Sequence, residues 1–278
     1  MADAITKNVK SVWYDAGNRP WRLTHRPFRV SPHIYYVGNT WVGAYLIATE
    51  EGLAIIDTTV FESVYMVIES IWELGFDPRD LKHIFLTHCH CDHVGGVMPL
   101  KEISDADVYM SKEDDQFQYE PANKGAGTEF KQFDTPVDHH YNDDSPIQFG
   151  GLEICTILTP GHTPGTTSFF ITDRDEQGRK LIVGLHGGVG PNTMSDEYLK
   201  QYGLDPTLRQ QFIDGCESLK SHHVDITIAS HPAHGDLFNR IGDDPADYTS
   251  LIDPSEWSRF LQVRKEFAEQ LNPSAEGK

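Results

Sequence analysis

Basic residues are scarce in this chain of 278 residues: 23 Lys and Arg stand against 42 Asp and Glu, a net charge of −19. A surface so acidic repels phosphate backbones and anionic lipid headgroups, which argues against nucleic acid and membrane partners. Cysteine is scarce as well. Cys89, Cys91, Cys155 and Cys216 are too few to form the disulfide scaffold of a chain this long. Nowhere do roughly 20 apolar residues run together, the length that a bilayer-spanning helix requires. Met1 to Gly17 hold no apolar run like the core of a signal peptide, so the sequence as written reads as cytoplasmic, or as periplasmic or secreted if a leader has been removed. Repeats and low-complexity linkers are lacking too. What is present is apolar material, 38% of the residues with 14 Phe, 11 Tyr and 5 Trp, which excludes a disordered chain.

The polar stretch 1–26 reads as an N-terminal arm, and 27–278 as one large domain. Strand patterns follow at Ile34–Val37, Ala44–Ala48 and Leu53–Asp57, then a helix near Ser63–Leu74 with Val64, Val67, Ile68, Ile71 and Trp72 at helical spacing. Leu81–Leu86 has the composition of a buried strand. A helix over Gly96–Ile103 and a strand at Val108–Met110 come next. Glu113 to Ser145 is polar and aperiodic and is expected to be a long surface excursion beside a site. Strands resume at Ile147–Phe149, Leu152–Leu158, Thr167–Ile171, Leu181–Gly184 and Ile226–Ala229, with a helix over Pro206–Lys220. The last helix carries Trp257, Phe260, Leu261 and Phe267 and is expected to start at Asp253-Pro254-Ser255-Glu256, with Asp253 as its cap and Glu256 closing a capping box. Strand clusters alternating with single helices predict sheets covered by helices, an α/β sandwich.

The 14 histidines are clustered. Leu81–Leu86 runs into Thr87-His88-Cys89-His90-Cys91-Asp92-His93-Val94-Gly95-Gly96, which packs four potential metal ligands, His88, His90, Asp92 and His93, into six residues. Side chains alternate along extended backbone, so His88 and His90 point to one side. Asp92 and His93, where the chain turns, are free to aim at a neighbouring point, and one loop can feed two adjacent cations. Two later turns add a histidine each: Thr159-Pro160-Gly161-His162-Thr163-Pro164-Gly165 and Ser230-His231-Pro232-Ala233-His234-Gly235. Together they complete two sets of three ligands, with His234 a rival to His231.

This pattern resembles the metallo-β-lactamase superfamily, whose ligand order is matched by His88-x-His90-x-Asp92-His93, His162 and His231 over roughly Pro27 to Gly235. Within it the chain is most similar to the third subclass of metallo-β-lactamases, through Pro27-Phe28-Arg29-Val30, Ile34-Tyr35-Tyr36-Val37-Gly38, Ala44-Tyr45-Leu46-Ile47 and the pair His231-Pro232. The resemblance implies a four-layer αββα sandwich with two zinc ions at one edge. It places His88, His90 and His162 on the first ion and Asp92, His93 and His231 on the second, with Asp57 supporting a ligand histidine from behind. Asp92 is implied as the catalytic residue that orients the attacking water. Imidazole and carboxylate donors suit zinc, although iron and manganese accept them. Cys89 and Cys91 are expected to point away from the ligands.

Many hydrolases of this superfamily carry an Asp bridging both metals after the strand at Leu181–Gly184. Here the segment reads Val183-Gly184-Leu185-His186-Gly187-Gly188, without a carboxylate. The third lactamase subclass also lacks that Asp. His186 is expected to reach the second metal or the substrate. Gly187-Gly188-Val189-Gly190 and the excursion are expected as pocket walls. The function implied is zinc-dependent opening of the amide of a small-molecule substrate, a β-lactam, with lactone, ester or thioester hydrolysis on the same site as the alternative.

Overall fold

The computed structural model describes residues 12–125 and 127–271. Its strands form two sheets. In the first, β1 (Phe28–Arg29), β2 (Ile34–Tyr36), β3 (Tyr45–Thr49), β4 (Gly52–Ile56), β5 (Leu81–Phe85), β6 (Asp107–Met110) and β7 (His139–His140) lie side by side in chain order. In the second, the spatial order is β12 (Ile226–Ala229), β11 (Lys180–His186), β10 (Thr167–Arg174), β9 (Leu152–Leu158) and β8 (Ile147–Phe149). The first sheet turns from antiparallel to parallel at β4, and the crossover from β4 to β5 is carried by helix Val64–Glu73.

Alternation along the strands builds the layers. Tyr45, Ile47, Ala54 and Ile56 meet Phe169, Ile171, Val183 and Leu185 between the sheets. Their neighbours Leu46, Ile55 and Ile84 face outward onto Val67, Ile71 and Leu100 of the covering helices. Phe170, on the outer face of the second sheet, packs with Phe212, Trp257, Phe260 and Leu261 of helices Leu208–Leu219 and Glu256–Gln270. The result is the expected helix–sheet–sheet–helix sandwich.

Several local expectations need correction. Trp72 and Phe267 are exposed rather than on the buried helix faces. The last helix begins at Glu256 with Ser255 as cap; the Asp253 carboxylate closes a turn onto Ser255, and Glu256 pairs with Arg259 instead of closing a capping box. The excursion 113–145 holds the short helices Lys112–Phe117 and Pro121–Gly125 and the strand β7. The arm is structured where it is described: residues 12–18 are helical and Pro20–Leu23 form a 3-10 turn.

Candidate metal centre

The strands that carry the ligand segments end at one rim of the sandwich. β4 runs into Asp57, β5 into the loop with His88 and His90, β9 into the turn with His162, and β12 into His231. After His90 the chain coils into the short helix Cys91–Val94, which swings Asp92 and His93 away from the extended direction. Two glycines permit this turn to seat. A Cβ on Gly95 would lie 2.3 Å from the Phe61 nitrogen, and one on Gly96 2.5 Å from the Thr58 carbonyl oxygen. Thr58 fastens the same turn, its hydroxyl donating to the His93 carbonyl and accepting from the Gly96 amide.

The donor atoms of His88, His90 and His162 lie within 4.8 Å of one another, and so do those of His88, Asp92 and His93. His90 Nδ1 is 3.0 Å from His162 Nε2. Asp92 Oδ2 is 3.3 Å from His231 Nε2 and 3.5 Å from His93 Nε2. A tetrahedral zinc with bonds of about 2.0–2.1 Å separates its donors by roughly 3.3 Å. The buried atoms His88 Nε2 and His93 Nε2 have no hydrogen-bond partner among the described residues. Buried polar atoms are rarely left so. Two orphaned nitrogens beside a carboxylate and three more imidazoles fit the binding of metal cations.

The far nitrogens of these rings are held. His93 Nδ1 donates to Asp57 Oδ2 at 2.7 Å, His162 Nδ1 to the Gly190 carbonyl at 2.8 Å and His231 Nδ1 to the Trp41 carbonyl at 2.8 Å. The Thr87 hydroxyl donates to Asp57 and lies 2.9 Å from His88 Nδ1. Asp57 thus steadies one imidazole directly and a second through Thr87, and its left-handed backbone, φ 60°, aims the carboxylate at them. Sequence reasoning found Asp57 but missed Thr87, whose only signal was adjacency to His88.

Burial and the crowd of neighbouring imidazoles push His88 well below the ordinary histidine value; burial brings His90 down to about 4. Both present neutral nitrogen lone pairs at neutral pH. Burial opposes charge on Asp92, but His93 and His231 outweigh it and hold the carboxyl well below the usual carboxylate range. For His93, likewise, Asp92 and Asp57 overcome burial and raise its pKa.

A cavity of about 550 Å³ opens onto His90, Asp92, His162 and His231. One wall is aromatic: Trp41 stacks on Phe130 at 5.6 Å between ring centroids, and Trp13 from the N-terminal helix lies 6.3 Å from Trp41. The lining also includes Asn192, Thr193, Tyr198 and Tyr202. Of the expected glycine-rich wall only Gly190 lines the cavity. Gly188 sits behind His162, where a Cβ would come within 2.7 Å of the ring. The excursion contributes Gly125, Gly127, Glu129 and Phe130. His234 lines the cavity 5.1 Å from the His231 ring; neither histidine belongs to the two close donor groups, but it is His231 whose Nε2 lies 3.3 Å from Asp92. Cys89 and Cys91 are free thiols outside both groups.

His186 is not brought to this centre. On β11, Val183 and Leu185 face the inter-sheet core, so Gly184 and His186 face the outer helices, and His186 packs against Phe212 at 5.4 Å. The two-residue period of the strand puts it on the wrong side. The ring is buried, its Nε2 has no partner among the described residues, and burial lowers its pKa to about 3.

Residues 42–231 match the sequence profile of the metallo-beta-lactamase superfamily. Over 160 residues the chain is 28% identical to the probable metallo-hydrolase YqgX of Bacillus subtilis, covering 55% of this chain and 71% of that protein. It is 31% identical over 110 residues to the N-acyl homoserine lactonase AttM of Agrobacterium fabrum, 37% of this chain and 41% of that one. Among solved structures it is similar to the metallo-beta-lactamase GOB-18 of Elizabethkingia meningoseptica, with a TM-score of 0.79, 27% identity and coverage of 91% of this chain and 94% of the other. The subclass B3 metallo-beta-lactamase BJP-1 of Bradyrhizobium japonicum gives 0.80 at 24% identity, covering 91% and 96%, a likeness of fold. A profile that spans most of the chain, on a fold shared with subclass B3 enzymes, means that this chain belongs to the metallo-beta-lactamase superfamily, a family of metal-dependent hydrolases.

Proposed function

We propose that the protein is a dinuclear zinc hydrolase that opens the amide of β-lactams. The observation that carries this reading is the pair of close donor groups beside one cavity, His88 with His90 and His162 and His88 with Asp92 and His93, with His231 Nε2 3.3 Å from the Asp92 carboxylate; we assign the first ion to His88, His90 and His162 and the second to Asp92, His93 and His231. The similarity to lactamases over nine-tenths of the chain supports the substrate class. Each set would hold one ion. When bound, zinc supplies an acidified water near neutral pH and a Lewis acid for a carbonyl oxygen.

The chain's own residues do the rest. Asp92, kept ionised by His93 and His231, accepts a hydrogen bond from the attacking water and directs it at the carbonyl carbon. Water oxygen bonds to that carbon, the C–N bond of the strained ring breaks, and the departing nitrogen takes up a proton. Trp41 and Phe130 shield the cavity from solvent, and Asn192 and Thr193 offer it neutral hydrogen-bonding groups.

A second reading, hydrolysis of a lactone, ester or thioester, is favoured by one feature. No Lys or Arg is among the described residues lining the cavity, whereas β-lactam antibiotics carry a carboxylate that a cation would steady. The similarity to a lactonase points the same way. The zinc-loaded protein is to be assayed on penicillins, cephalosporins, carbapenems, N-acyl homoserine lactones and thioesters. Lactam turnover is the expected result; turnover of lactones or thioesters with none of lactams would transfer the assignment to the second reading.

A further inference from the structure

Asp114 is fully buried and forms no salt bridge among the described residues. Its carboxylate is held by neutral donors alone. Oδ2 accepts from the Cys89 amide at 2.9 Å and from the Thr163 hydroxyl at 2.8 Å, and Oδ1 accepts from the Gly165 amide at 2.7 Å. Those donors come from two distant segments. Cys89 lies between His88 and His90, and Thr163 follows His162. The residue that caps the same helix, Ser111, reinforces the second attachment by donating to the Gly165 carbonyl at 2.7 Å.

Burying a carboxylate without a cation is expensive, and the fold does not need it for the helix. Ser111-x-x-Asp114 has the spacing of a capping box, in which the acid would turn back to the cap's own amide. Here the side chain leaves its helix and reaches the two ligand-bearing loops instead. The turn at Gly165 is packed so closely that a Cβ there would sit 2.2 Å from Ser111 Oγ and 2.4 Å from the Asp114 nitrogen, so the clasp has little slack.

We propose that Asp114 is a positioning residue for the metal centre: it ties the loop of His88 and His90 to the turn of His162 and so sets the spacing of those three imidazoles. In the second set, His93 is anchored by Asp57, which also steadies His88 through Thr87, and His231 by the Trp41 carbonyl, none of them through Asp114. The effect of losing the clasp is therefore selective. This inference rests on the two-ion reading, and its test separates the two.

Zinc binding to the metal-free protein is followed by competition with a chromophoric chelator, alongside thermal unfolding without metal. His162→Ala and His231→Ala assign each binding step to its donor set. Asp114→Asn keeps the shape but turns an amide N–H toward one of the three donors. It is expected to weaken zinc at the step lost in His162→Ala by about 10- to 100-fold, the range seen for partners of ligand residues, and to leave the step lost in His231→Ala within about twofold. If Asp114→Asn does not fold, Thr163→Val is expected to weaken the same step and Thr163→Ser, which retains the hydroxyl, to restore it. Equal weakening of both steps, or wild-type affinity at the first, would overturn the assignment of Asp114. Absence of zinc binding in the wild type would instead overturn the two-ion reading.

Discussion

At the scale of single residues, the account turns on which atoms face the rim and which are held behind it. Asp57 accepts from the Thr87 hydroxyl, which in turn contacts His88, and from His93, and so forms one branched support. Asp57→Ala leaves the Thr87 amide and hydroxyl and the His93 Nδ1 without their acceptor. The expected outcome is a loss of about 1–3 kcal/mol in metal-free stability and of 10- to 100-fold in zinc affinity, read by denaturant unfolding and chelator competition. His186 is the opposite case, an imidazole the site does not use. Its folded pKa of about 3 lies below its ordinary 6.5, so as pH falls below 6.5 the unfolded state takes up the proton first. Stability is intact above that value and is lost on acidification by about 1.4 kcal/mol per pH unit for this group. His186→Leu is expected to move the acid-unfolding midpoint to lower pH with zinc content unchanged. A drop in zinc content would return His186 to the metal centre.

Among elements, the candidate ligands follow strand ends, whereas the cavity wall comes from pieces that no strand pattern announces. Trp13 belongs to the N-terminal helix, Trp41 to the loop before β3 and Phe130 to the excursion. Phe130→Ala removes apolar contact made equally in the bound substrate and the transition state. It is expected to raise KM about tenfold, worth about 1.4 kcal/mol, with kcat little changed. Steady-state kinetics on the substrate found by the panel checks this, and a matching fall in kcat would place Phe130 in the chemistry. Helices long enough for several turns of apolar spacing were legible, as Leu208, Phe212, Cys216 and Leu219 demonstrate by their burial. Lys112–Phe117 was not, because six residues with a single apolar side chain carry no period. Strands β10 and β11 run past their apolar stretches to Arg174 and from Lys180, since paired backbone continues the ladder regardless of side chain.

At the scale of the molecule, patterning led to sheets covered by helices, because strands alternating with helices admit few packings, and the four-layer order was implied by the family resemblance. The candidate ligand segments were legible because their residue types are unusual together, but of their supports only Asp57 was, and that through the family resemblance. Trp41 holds His231 across 190 positions and Asp114 reaches Thr163 across 49, contacts that exist only once the two sheets are stacked. The placement of His186 failed for a related reason: proximity in sequence to a family position says nothing of which sheet face the strand register assigns. The central claim is that the rim where these segments converge holds two ions. Anomalous diffraction at the zinc edge from crystals grown with zinc tests it most directly. Two peaks are expected, one bounded by His88, His90 and His162 and the other by Asp92, His93 and His231. Full zinc occupancy confined to one peak, or no peak at this rim, would contradict it.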